Sequence, residues 1–146
     1  MGDSKQFNFR IATQEDIDFV RENPYEPAVK GYPDMDIPTS NAFTAVLDGE
    51  VLGVFGMQLR WKGVGVLWLI CADNFRKCGV RYALKTVSTN IDYLTKENNA
   101  FRVEAYVRTD FPKAIKMMEY LGFKREGLMK QFCPDKGDSY LYAKVI

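Results

Sequence analysis

The chain has 146 residues, 47% of them hydrophobic and 14% aromatic, which suits one domain over 1–146 with a real core. Twenty Lys and Arg against 19 Asp and Glu leave a net charge of +1, which argues against a general polyanion binder. There is no histidine, so Ser-His-Asp and Cys-His catalysis and every His-ligated metal site are excluded, and no metal is expected.

Residues 2–10 are too polar for the apolar stretch of a signal peptide. Within them, Phe7–Ile11 alternates apolar and polar residues, the pattern of a half-buried first strand. Thr13 followed by Glu15 and Asp16 predicts a helix N-cap with an acidic first turn, and Ile17 and Val20 share a face of a helix ending near Glu22. Four of the six prolines then fall within residues 24–38 (Pro24, Pro27, Pro33 and Pro38), which forbids a long helix there. This segment is either a surface connection held down by its tyrosines or a loop that shapes a substrate pocket.

Ala42–Leu47, the Asp48-Gly49 turn and Val51–Arg60 predict a hairpin. A second turn at Trp61-Lys62-Gly63 leads into Val64–Ala72, a continuous apolar run. Nine residues are far short of the ~20 that span a bilayer, so the run predicts a strand central in the sheet and buried on both faces, with no membrane partner. Val80, Ala83, Leu84, Val87, Ile91 and Leu94 fall at helical spacing, Phe101–Val107 alternates as a strand, and Pro112 opens a helix with Ala114, Ile115, Met118 and Leu121 on one face. Gly122 ends that helix; a strand near Lys124–Phe132 and another at Ser139–Val145 close the chain. The order predicts an α/β fold: a mixed, mostly antiparallel central sheet with helices on both faces. Cys71, Cys78 and Cys133 are an odd set without CxxC spacing, which points to reduced thiols and a cytoplasmic protein.

The chemistry concentrates between Leu67 and Leu84. A buried strand runs into Asn74-Phe75-Arg76-Lys77-Cys78-Gly79-Val80-Arg81, and a helix starts at once. Such a helix N-terminus presents unpaired N–H groups to a phosphate, and Gly79 permits close approach. Residues 60–85 hold six basic residues against Asp73 alone. The alternative is that this cluster merely solvates a turn. Neither GxxxxGK[ST] nor GxGxxG is present.

Together these features resemble the GNAT superfamily of N-acyltransferases. Its Arg/Gln-x-x-Gly-x-Gly/Ala loop is matched at Arg76 and Gly79, with Arg81 in place of the last small residue, and its helix ending in Leu-Gly-Phe is matched by Leu121-Gly122-Phe123. The resemblance implies acetyl-CoA as cosubstrate, bound by Leu69, Cys71, Arg76, Lys77, Cys78, Gly79, Val80 and Arg81, and an amine acceptor, small molecule or protein, that attacks the thioester directly. An N–H near Cys71 would polarise the thioester oxygen.

Direct attack requires that the amine lose a proton. Glu104 is the favoured catalytic base, with Asp73 and Asp110 in reserve; the competing role for Glu104 is an ion pair with Arg102 or Arg108. Two positions depart from the family: its helix Asn and Tyr correspond to Phe111 and Met118. That departure supports a second reading, a GNAT-like binding or structural module, for example a phage virion protein. Nucleic-acid binding is the weakest reading, for no basic-aromatic motif accompanies the charge. A transferase further predicts that strands 64–72 and 101–107 part in a V, with Met118 pointing into the gap and the Pro24–Pro38 loop covering one side. Oligomeric state, homodimer included, is open.

Overall fold

The computed structural model describes residues 7–32 and 39–146. Strands β1 (Phe7–Ile11), β2 (Ala42–Leu47), β3 (Glu50–Trp61), β4 (Val64–Cys71), β5 (Arg102–Arg108), β6 (Lys124–Met129) and β7 (Ser139–Val145) form one sheet in the order β1-β2-β3-β4-β5-β7-β6. Helices α1 (Gln14–Glu22), α2 (Val80–Glu97) and α3 (Pro112–Tyr120) connect them. The pairing is antiparallel except between β4 and β5, where the crossover through α2 makes it parallel.

The hairpin turn is the one its residues dictate: Asp48 and Gly49 both take positive φ, 49° and 80°. Along β5, Val103, Ala105 and Val107 are buried against α2 and α3, in a core with Phe55, Met57, Val87, Leu94 and Tyr142. On the other face, Ile17 and Val20 of α1 pack with Val54 and Ala72. Two expectations need correction. β1 is an edge strand on which only Phe7 is part-buried, stacked on Tyr82 of α2, while Ile11 is 71% exposed, because β1 has a sheet neighbour on one side only among the described residues. β4 is fourth of seven strands but is only half-buried from Trp68 to Cys71, because its neighbour leaves it there.

Thr13 caps α1 as its sequence predicts. Its hydroxyl accepts from the Asp16 N–H at 3.2 Å, and Asp16 accepts from the Thr13 N–H at 3.0 Å. Asp16 also accepts from Arg10 at 2.5 and 2.8 Å and from the Thr44 hydroxyl at 2.8 Å, so one carboxylate ties α1 to β1 and β2. Burial alone would raise its pKa; the hydrogen bonds from Arg10, Thr13 and Thr44 outweigh that and hold it at about 2. The folded value lies below the unfolded one of ~3.9, so this stabilisation is complete above about pH 4 and is lost as the pH falls through about 2. Asp16→Asn is expected to cost about 2 kcal/mol at neutral pH. In urea unfolding the gap from native protein should close between pH 4 and pH 2.

Candidate active site

β4 and β5 pair over three residues only, Val64 with Arg102, Gly65 with Val103 and Val66 with Glu104. Beyond that rung the strands part, and the expected V-shaped opening lies between them. The Gly63 carbonyl accepts from Phe101 and Arg102, and the Cys71 carbonyl accepts from Tyr25, so odd-numbered residues of β4 turn their backbone groups toward the gap. Leu69 lies between these points, beyond the reach of β5, and offers both its N–H and its C=O to the opening. Cys71 adds an N–H on the same edge. Its thiol is pushed up to about 12 by burial and then by the neighbouring Cys78, so it is a protonated wall residue and no nucleophile.

A 3-10 turn, Asp73–Lys77, carries the chain from β4 to Gly79, the N-cap of α2. No side chain caps this helix, so the N–H groups of its first turn, beginning with Val80 and Arg81, are left for a ligand or water. A Cβ built on Gly79 meets nothing within 4 Å, and its φ of −65° is open to any residue. The glycine therefore serves the space beside the helix end rather than the backbone conformation. Val80 and Arg81 are exposed, whereas Cys78 is half-buried against the core. Arg76 and Lys77 already hold partners: Arg76 bonds Asp73 at 2.7 Å and the Tyr25 carbonyl at 3.1 Å, and Lys77 pairs with Glu50 at 3.2 Å.

The proline-rich segment crosses the mouth of the gap. The Asp73 N–H bonds the Asn23 carbonyl at 2.7 Å, and the Tyr25 N–H bonds the Cys71 carbonyl at 2.8 Å. The Tyr25 ring stacks on Phe111 at 6.2 Å, meets Phe75 edge-on at 6.3 Å and lies under the Arg76 guanidinium at 4.1 Å. Lys113 donates to its hydroxyl at 3.1 Å. Farther on, the hydroxyl of the half-buried Tyr32 sits beside Cys133 and Arg108, so residues 24–32 reach from the β4 side to the β5 side. The expectation for residues 33–38 lies outside the described residues. Tyr25 thus holds the segment down, the part its place in the proline cluster suggested for the tyrosines.

Glu104 stands on the last paired rung, on the sheet face away from α2 and α3. Its Oε2 accepts from Arg102 Nε at 2.8 Å, while Arg60 Nε approaches Oε1 no closer than 4.0 Å. Glu126 takes the other side of Arg102 at 2.6 Å. Beside this rung Gln58, Leu59, Arg60, Val66 and Tyr106 line a cavity of about 180 Å³. Arg60 and Tyr106 were missed, although Tyr106 follows Glu104 by two on a strand and so shares its face.

The reserve bases fare differently. Asp73 is exposed and bound to Arg76; Asp110 is held below the usual carboxylate range by Arg108. Met118 is 5% exposed and belongs to the buried cluster against which Leu69 and Cys78 pack, an unbranched apolar side chain where the family carries a tyrosine. Among the described residues no cluster of His, Cys, Asp and Glu is arranged to hold a metal, and no helix is long and apolar enough to cross a membrane.

No protein-family model matches the chain. An N-alpha-acetyltransferase of Sulfurisphaera tokodaii is 26% identical over 113 residues, 69% of this chain and 66% of that protein, so the match spans just under two thirds of the relative. A GNAT-family acetyltransferase from Bacillus anthracis superimposes with a TM-score of 0.72 at 19% identity, covering 96% of this chain and 95% of the other. A spermidine N-acetyltransferase from Vibrio cholerae, solved with CoA and spermine, gives 0.73 at 15% identity over 96% and 95%. The motifs that resemble the GNAT superfamily thus sit on a matching framework, and this chain has the GNAT acetyltransferase fold.

Proposed function

We propose that the chain transfers an acetyl group from acetyl-CoA to an amine by direct attack. The observation that carries this reading is the parting of β4 from β5 immediately after Val66 and Glu104, which leaves the backbone edge at Leu69 free beside an uncapped helix end. The cosubstrate fits these residues. Unfilled space at Gly79, the first-turn N–H groups of α2 and the exposed Arg81 suit a pyrophosphate, and Arg76 joins them by exchanging its Asp73 contact for a phosphate. Leu69 and Cys71 pair with the extended amide-bearing arm. Acetyl-CoA supplies an activated acyl carbon on a thiolate leaving group.

In the step itself the amine nitrogen bonds the acyl carbon, the carbon–sulfur bond breaks, and the electron pair leaves on sulfur. The backbone N–H groups on the β4 edge stabilise the oxygen as charge develops there. Glu104 Oε1 accepts the amine proton while Arg102 fixes the carboxylate through Oε2. A thiol of pKa ~8.5 departs readily near neutral pH, so the family's tyrosine is helpful rather than obligatory. Phe111 and Met118 favour a second reading, a fold that binds CoA without turnover.

Acetyl-CoA at about 100 times its dissociation constant is expected to stabilise the protein by about 2.7 kcal/mol, a rise of several degrees in melting temperature. CoA release across a panel of amines then separates the two readings: a thermal shift without release supports the binding module. No shift overturns both.

A further inference from the structure

We propose that a second copy of this chain pairs with the open edge of β1, antiparallel and related by a two-fold axis at Phe9, so that two sheets join into one. The Ala12 N–H donates to the Ala42 carbonyl at 3.0 Å, and along the same ladder Arg10 lies opposite Thr44 and Asn8 opposite Val46. In an antiparallel pair alternate residues turn their backbone groups to opposite sides, so Phe7, Phe9 and Ile11 aim theirs away from β2. No strand among the described residues takes them up. The other edge, β6, carries Lys124, Arg125 and Glu126 and is interrupted by a bulge between Arg125 and Gly127, devices that discourage pairing. β1 has no proline, no lysine and no bulge, and its one charged residue, Arg10, is bonded to Asp16.

The same edge is apolar on one face. Phe7, Phe9 and Ile11 alternate onto the side of α2, where the Phe7 ring stacks on Tyr82 at 5.3 Å and Phe43, opposite Ile11, meets Tyr93 edge-on at 5.3 Å. Phe9, Tyr82 and Tyr93 are 41%, 46% and 47% exposed. With Ile11 they leave on the order of 400 Å² of apolar surface along one border, the size of a functional patch. A standard interface covers about 800 Å² per partner, so the strand edge and its polar flank supply the rest. A second β1 fits both. Pairing centred on Phe9 sets Phe9 opposite Phe9 of the second copy and Phe7 opposite Ile11, and every outward N–H and C=O of the strand is then bonded. On the other face Asn8 meets Arg10, so no like charges oppose each other. A slip of two residues in one direction sets Arg10 against Arg10, and in either direction it strands one outward residue of each β1, which fixes the register. β2 and β3 separate this edge from β4, so both β4–β5 gaps stay open in the pair.

The test is sedimentation equilibrium on the full chain over about 0.1–100 μM, where an interface of this size should give a reversible dimer with a dissociation constant on the order of micromolar. Phe9→Glu and Phe9→Lys each put like charges on the axis and should weaken self-association at least about a hundredfold. Mixed in equal amounts the two variants should form a heterodimer, because residue 9 faces only itself. Phe9 is part-exposed and three strands from the gap, so both should fold and keep the native response to acetyl-CoA. Leu128→Glu on the β6 edge should leave the dimer intact. A reading that needs no variant is amide exchange in native protein: the Phe9 and Ile11 N–H groups should slow as the concentration passes the dissociation constant, while β6 stays unchanged. A native protein that is monomeric throughout leaves the edge to a different chain and overturns the proposal. So does a dimer that survives Phe9→Glu or is lost in Leu128→Glu, and so do Glu and Lys variants that fold but do not pair when mixed.

Discussion

Glu104→Gln is expected to slow acetyl transfer at neutral pH by about 10²–10⁴-fold, the usual loss when a positioned base is removed, with acetyl-CoA affinity unchanged. The amide keeps a carbonyl oxygen for Arg102 Nε, and Arg102 remains paired with Glu126, so the rung with Val66 should persist. Only the proton acceptor is lost. The 76–81 loop, the proposed phosphate site, lies at the far end of the gap and does not involve Glu104, which is why binding and rate should separate. The variant should regain activity as the pH rises, because the amine sheds its proton to solvent before it attacks. A rate equal to native protein at neutral pH shows that water or another group takes the proton and removes Glu104 from the mechanism.

Gly79→Val should abolish the acetyl-CoA thermal shift while leaving a folded protein. No heavy atom lies within 4 Å of a Cβ at this position and the φ of −65° suits valine, so the free protein accommodates the side chain. Valine is a poorer N-cap than glycine, and about 1 kcal/mol of stability is the expected cost. The same branched side chain occupies the space beside the first-turn N–H groups, where a pyrophosphate has to approach the backbone. We expect affinity to fall by at least about a hundredfold, the effect of losing two charge-assisted hydrogen bonds. Gly79→Ala should fall between the two. Native affinity in a folded Gly79→Val protein places the cosubstrate elsewhere.

What the sequence by itself determined is local. Asp48-Gly49 forces its turn through positive φ; Thr13 and Asp16 satisfy each other at a helix start; Val87, Ile91 and Leu94 make a buried stripe at helical spacing; Val103, Ala105 and Val107 alternate inward. Each depends on residues a few positions apart. The loop from Arg76 to Arg81 was legible for the same reason, because a strand, a glycine and a helix start are contiguous.

The tertiary structure decided whatever depends on chain segments far apart. β7 inserts between β5 and β6, an order that no periodicity encodes. The run Val64–Ala72 promised uniform burial, yet β5 pairs with only its first three residues, because strand separation depends on where a crossover returns and not on the composition of either strand. Tyr25 reaches Phe111 and Lys113 across some ninety positions, and Arg60 meets Tyr106 across more than forty. The burial of Met118 has the same physical reason: a side chain's surroundings are set by the packing around it, and only the assembled sheet and helices supply that packing.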